Sequence, residues 1–293
     1  VAATMTDSPE PPQGSGKTAT AREHSASPAP WYRSARFLLP LVFVAATIVA
    51  QIGYPLTSGG ARDRITVAIV LLSAGAVLAH ATATRGPRYA IGFLVIVSGL
   101  GLTAEVIGTA TGVPFGCYEY ATGRLGPALL TVPLLVPLAW TGGIYPVWVV
   151  SGILWRQTLT RIAATAACAV GWDLFLDPQM VADGQWTWCD TDSGLPGLDW
   201  IPVTNYLGWF GVALVMGGLL AAWEQAAPDP VRTPGDGRAR ARVVPVTLFL
   251  WTWLGSALAH AVFLGLLPSA GYGFAGMAVL GVPLLVAGAR ARR

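Results

Sequence analysis

The chain has 293 residues, 54% of them hydrophobic and only 11% charged. Soluble domains carry about 25% charged residues, so a water-soluble globule is excluded and an all-α, polytopic membrane protein is expected. The formal net charge of +3 leaves no electrostatic footprint for nucleic acid. Cys117, Cys168 and Cys189 show no metal-ligand spacing.

Residues 1–33 are rich in Pro, Ser, Thr and Ala and carry no apolar period, which predicts a disordered cytoplasmic tail. Within it, Gly14-Ser15-Gly16-Lys17-Thr18 has the look of a phosphate loop. That motif needs a glycine where Pro11 stands and a strand before it, and neither is present. The first apolar run starts too far along the chain for a cleavable signal peptide.

From residue 34 onward the chain reads as one integral membrane domain. Apolar runs at 37–56, 65–83, 89–111, 129–150, 159–176, 203–222, 244–267 and 270–289 are each able to cross about 30 Å of hydrocarbon. The fourth is interrupted by Pro133, Pro137 and Pro146. Eight spans put both termini on one side. If that side is the cytoplasm, all but three of the 18 Lys and Arg residues face inward, the exceptions being Arg62, Arg64 and Arg124. This is the positive-inside pattern of a multi-pass protein of the cell membrane. The stretch 224–243, with Pro-Gly-Asp-Gly and alternating Arg-Ala, reads as a flexible cytoplasmic loop that divides the bundle into six plus two helices.

The fifth run contains Asp173 and ends at Asp177. A carboxylate at the centre of a spanning helix costs about 2.5–3.5 kcal/mol on insertion scales and is a functional candidate for that reason. Four residues apart, the two aspartates share a helix face, and Pro178 is expected to stop the helix. The following loop, 177–202, holds Asp177, Asp183, Asp190, Asp192 and Asp199 with no Lys or Arg. On the same outer side lie Glu105, near the end of the third run, Asn205 and Tyr206, which open the sixth, and His260 in the seventh.

Each has a plainer reading. Asp177-Pro178 can be a helix stop, and Trp186 and Trp188 an interfacial aromatic belt. Glu105 can tie two helices by a hydrogen bond. His260 reads better as a packed core residue than as a catalyst, and Glu119 as a solvated loop residue. Cys117 and Cys189 both fall in outer loops, where a disulfide between them is allowed.

The absent motifs narrow the chemistry. There is no Gly-x-Ser-x-Gly elbow. The spacing Asp173-x-x-x-Asp177 suits magnesium diphosphate, but no basic residue follows it to hold the phosphates. Carboxylic acids and aromatic rings in an apolar site remain. Low dielectric favours the neutral acid, which can protonate a carbon–carbon double bond, and indole and phenol faces stabilise the cation. Water or an internal alkene then quenches it, so hydration, isomerisation and cyclisation of a polyene all fit.

Three motifs carry a resemblance. The first is Asp177, Pro178, Met180, Val181, Gly184, Trp186 and Trp188, followed by Pro202-Val203-Thr204-Asn205-Tyr206-Leu207-Gly208-Trp209. The second runs from Glu105 and Gly108 through Gly112, Pro114, Phe115, Gly116, Tyr118 and Tyr120. The third spans Val132-Pro133-Leu134 to Trp140 and Tyr145-Pro146. In this order they resemble the membrane carotenoid 1,2-hydratase family of carotenoid biosynthesis, the gamma-carotene and bisanhydrobacterioruberin hydratase type.

The resemblance covers 103–222 closely and the remainder in hydropathy. It implies addition of water across the terminal 1,2 double bond of an acyclic carotenoid, as a hydro-lyase with no cofactor and no metal. The implied partners are the carotenoid and membrane lipid, with room for contact with other enzymes of the pathway. On this reading Asp173 or Glu105 is the acid and Asp177 places the water. Asn205, Tyr118 and Tyr206 orient it or line the site, and Trp172, Trp186 and Trp188 bound the polyene. A cyclase or isomerase using the same cation is the first rival. A transporter or scaffold of the pathway is the second, although no matching half for the broken fourth helix is evident.

Overall fold

In a computed structural model the described residues are 1–2, 35–190, 193–227 and 241–291. The expected tail, including the phosphate-loop-like segment, therefore lies almost wholly outside the described residues, as does 228–240 of the expected cytoplasmic loop.

Eight helices are long and apolar enough to cross a membrane. They are α1 (Ala35–Gly53), α2 (Gly59–Arg85), α3 (Pro87–Thr111), α4 (Leu135–Leu154), α5 (Thr158–Ala182), α6 (Val203–Ala226), α7 (Val243–Phe263) and α8 (Leu267–Arg290). A single 3-10 turn, Tyr54–Leu56, extends the first span to the expected residue 56. Helix α7 is not uniform: its turns widen to π geometry at Trp251–Gly255 and again at Ala259–Phe263.

Small residues set the closest helix crossings, because in a membrane backbone approach and van der Waals contact replace the hydrophobic drive. A Cβ on Gly171 of α5 would collide with the backbone of Gly276 on α8, and one on Gly273 would sit 2.7 Å from the Phe175 ring. Helix α8 thus packs along α5, and α5 along α6. The bundle is consequently not divided into six plus two helices. The described residues from Ala35 onward fall in one compact unit.

Three sequence expectations need correction. The fourth span begins at Leu135, not at 129. Before it, Ala128–Leu129 (β2) and Val132–Pro133 (β3) pair as a tight antiparallel hairpin. Its two turn residues, Leu130 and Thr131, carry φ of 47° and 77°, a region incompatible with continuing a right-handed helix.

Second, Pro178 does not stop α5, which continues to Ala182. A proline inside a helix frees the carbonyl four residues back, here that of Leu174. The Ser269 hydroxyl of α8 donates to that carbonyl at 2.6 Å. The neighbouring helix thus satisfies the acceptor, as spanning segments require.

Third, the loop expected at 224–243 is shorter at both ends, because α6 runs to Ala226 and α7 starts at Val243. Glu224 stays helical because its charge is matched. It accepts hydrogen bonds from Arg161 (2.6 Å), Arg85 (2.5 Å), Trp148 Nε1 (2.9 Å) and the Tyr89 hydroxyl (3.1 Å).

That cluster ties α2 through α6 at one end of the bundle. At the opposite end Arg124 donates to Asp63 (2.6 Å) and to the Asp183 carbonyl (2.6 Å), while Arg62 pairs with Asp183 at 3.1 Å. The Asp63 hydrogen bond raises the pKa of the Arg124 guanidinium.

Candidate active site

Two loops cover this second end, and they join through a pair of strands. β1 (Tyr118–Tyr120) lies antiparallel to β4 (Trp186–Trp188), with Tyr118 opposite Trp188 and Tyr120 opposite Trp186. Strand residues alternate between faces, so the four rings point inward while Glu119 and Thr187 face out, exposed. The ring pairs stand 5.7 Å and 5.5 Å apart. A disulfide between Cys117 and Cys189 closes the edge of this ribbon. Trp186 and Trp188 are therefore buried parts of a cap, not an exposed belt. A third strand pair, Gly194–Leu195 (β5) with Leu198–Pro202 (β6), leads into α6.

Beneath the cap, three carboxyl groups come together from two helices. Glu105 of α3 is surrounded by donors. Tyr118 and Tyr120 hydroxyls reach its Oε2 at 2.5 Å and 2.8 Å, and Trp140 Nε1 of α4 reaches its Oε1 at 3.2 Å. Burial, reinforced by the Glu105 carboxyl, pushes both phenol pKa values well up, so both remain donors.

Asp173 and Asp177 sit one turn apart on α5, as their spacing required. Between them is the Asn205 side chain, whose Nδ2 donates to Asp173 Oδ2 at 3.0 Å and also to Asp177 Oδ2. Asp173 Oδ1 has no hydrogen-bond partner among the described residues.

These groups close one end of a cavity of about 880 Å³, toward the upper limit of the about 300–1,000 Å³ usual for ligand pockets. Its lining is mainly apolar. Glu105, Asp177 and Asn205 face it, whereas Asp173 is fully buried and not part of the lining. Trp140 stacks on Trp209 at 3.8 Å between centroids, and Trp172 meets Trp209 edge-on at 5.5 Å. These indoles form one wall. Gly143 gives Trp172 its space, since a Cβ there would overlap the indole.

Of the residues singled out from sequence, Glu105, Asp177, Trp172, Trp186, Trp188, Tyr118 and Asn205 line the cavity. Tyr206 is buried nearby but is not part of the lining. His260 is a packed residue, held between Ser269 (2.8 Å) and Gln179 (3.1 Å).

Sequence reasoning gave no role to Tyr120, Trp140, Trp209 or Gln179. A signal existed for Tyr120: Tyr118-x-Tyr120 has the period of a strand and puts both phenols on one face. Gln179 and Trp140 carry no such signal, because a third helix decides what each one touches.

The fold and site define a multi-pass helical membrane protein with carboxyl groups at the closed end of an apolar chamber. The chain belongs to the carotenoid biosynthesis protein family, whose model matches residues 65–280. That span contains Glu105, Asp173, Asp177 and Asn205. The chain is also 32% identical over 110 residues to the bisanhydrobacterioruberin hydratase of Haloarcula japonica, a match covering 36% of this chain and 36% of that protein. No solved structure matches it.

Proposed function

We propose that this chain is a cofactor-independent carotenoid hydratase that adds water across the terminal 1,2 double bond of an acyclic carotenoid. The observation that carries the reading is the unequal solvation of the three carboxyl groups. Glu105 receives three donors and offers none, a hydrogen-bonding pattern that suits an anion and works against the cost of its burial. Asp173 and Asp177 share the two N–H donors of one amide, and Asp173 Oδ1 is left with no donor among the described residues. A proton retained on the pair supplies the missing donor.

Asp177 faces the chamber and gives that proton to C2 of the terminal alkene. The π electrons form the new C–H bond, leaving a tertiary cation at C1. Trp172, Trp186 and Trp188, with their electron-rich faces, and the Glu105 anion stabilise it. Water then bonds to C1 through oxygen and releases a proton, which restores the aspartate pair. The product is a tertiary alcohol, and no electrons are gained or lost. Asp173 is a positioning residue on this reading, as is Asn205. The assignment differs from the expectation that made Asp173 or Glu105 the donor, and the support for the change is that Asp177 lines the cavity and Asp173 does not.

We further propose that both termini are cytoplasmic, which puts the cap and disulfide on the outer side of the cell membrane. That orientation fits the distribution of basic residues.

The test is expression in a host that accumulates an acyclic carotenoid, with mass spectrometry of the pigments. Hydration adds one or two waters. A cyclase or isomerase changes retention without changing mass, and a transporter or scaffold changes neither.

A further inference from the structure

The carboxyl end of the chamber is sealed: Glu105, Asp177 and Asn205 are 5%, 4% and 1% exposed. The opposite end is not. Ile52 of α1 and Leu254 and Leu258 of α7 line the same cavity, yet they are 52%, 46% and 58% exposed. Side chains that both line a cavity and face outward mark its mouth. Leu56, Thr247 and Phe263 line it and are exposed as well; all of these lie within two spanning segments and all but Thr247 are apolar, so the mouth opens mainly toward hydrocarbon.

The helices on either side are loosely joined. Helix α1 leans along α2 and makes few contacts with α7. A hydrogen bond crosses the seam from Trp251 Nε1 to Gln51 Oε1 at 2.7 Å, and Trp251 begins the first widened turn of α7.

We propose that the seam between α1 and α7 admits an acyclic polyene end-first from the bilayer, across the Gln51–Trp251 hydrogen bond. One end group reaches the sealed carboxyl end, and the remainder of the chain trails through the seam into lipid. Three observations select this occupant. The mouth lies within spanning helices, the lining is mainly apolar, and the carboxyl groups at its far end are buried. A polar solute is disfavoured at such a mouth, and the buried carboxyl groups favour a ligand that enters end-first over one lying across the bundle.

The geometry sets the order of events. Only one end group is treated per visit, so a symmetrical substrate must withdraw, turn and re-insert. The singly hydrated carotenoid is released between the two steps. This second consequence rests on the hydratase reading; passage through the seam does not.

The experiment uses the full chain in lipid nanodiscs with Gln51→Cys and Trp251→Cys, bridged by a short bismaleimide. Cys117 and Cys189 are already paired and Cys168 is buried, so the new thiols are the ones that react. Lycopene is presented in vesicles, and pigment bound to protein is read by absorbance. Bridging before loading should abolish uptake. Bridging after loading should trap the pigment against a chase of empty vesicles.

Leu258→Trp, which plugs the mouth without a linker, should slow uptake in the same direction. In the unbridged protein with excess lycopene, the singly hydrated product should precede the doubly hydrated one. Equal loading and emptying with and without the bridge overturns the seam. Gated uptake without water addition keeps the seam and removes the hydratase reading. Full hydration through a bridged seam does the reverse. A doubly hydrated product with no free intermediate overturns one-end-per-visit processing.

Discussion

Asp177→Asn separates proton donation from architecture. The substitution keeps the side-chain shape, and the new amide oxygen can still accept from Asn205 Nδ2. The cap above and α6 alongside therefore keep their contacts, and the stability change should stay near the centre of the range for point substitutions, about 1 kcal/mol. What is lost is an acid facing the chamber. General acid catalysis contributes about 10²–10⁴-fold, which is about 2.7–5.4 kcal/mol of barrier at 1.36 kcal/mol per decade.

The assay is the initial rate of pigment hydration in membranes. It is normalised to folded protein measured by size-exclusion chromatography in detergent. Glu105→Gln provides the contrast. It must turn one amide N–H toward the Tyr118, Tyr120 or Trp140 donors, so it should lose both stability and rate. If Asp177→Asn retains a rate within about threefold of the parent while folded, general acid catalysis by this residue is refuted.

Other outcomes follow from the same contacts. Ser269→Ala removes the donor that satisfies the Leu174 carbonyl opposite Pro178. It should destabilise the bundle by about 0.6–2 kcal/mol, the range of hydrogen bonds within membranes, read by unfolding in mixed micelles. Glu224→Leu leaves Arg85 and Arg161 facing each other without their common partner. The cost should be up to about 3–5 kcal/mol, with a fall in folded yield and no change in which product forms. Cys117→Ser leaves Cys189 as a free, exposed thiol. A membrane-impermeant maleimide should label it in intact cells, and labelling only after lysis would contradict the proposed orientation.

Much of this arrangement was legible in the sequence, and the reasons it stopped being legible are physical. The spans are visible because each must be apolar over its whole length. Asp173 and Asp177 stand out because charge in such a segment is costly, and their spacing alone puts them on one face. The continuation of α5 past Pro178 was hidden, since it depends on a hydroxyl 91 positions later, Ser269 satisfying Leu174. The pairing of Tyr118–Tyr120 with Trp186–Trp188 was hidden for a similar reason: each strand has three residues and gains its identity only from its partner in another loop. Loop length misled at 129–134, where a run of apolar residues forms a hairpin because Leu130 and Thr131 turn the chain the wrong way for a helix.

The most direct measurement of the central claim is the isotopic content of the product formed in membranes from an acyclic carotenoid. Run in deuterium oxide, the reaction should place one non-exchangeable deuterium on the carbon next to the new tertiary alcohol. Run in ¹⁸O-labelled water, it should place the heavy oxygen in that alcohol, and Asp177→Asn should diminish both labels together. A product that carries oxygen but no carbon-bound deuterium, or one that carries deuterium without added water, would contradict protonation of the alkene followed by water capture.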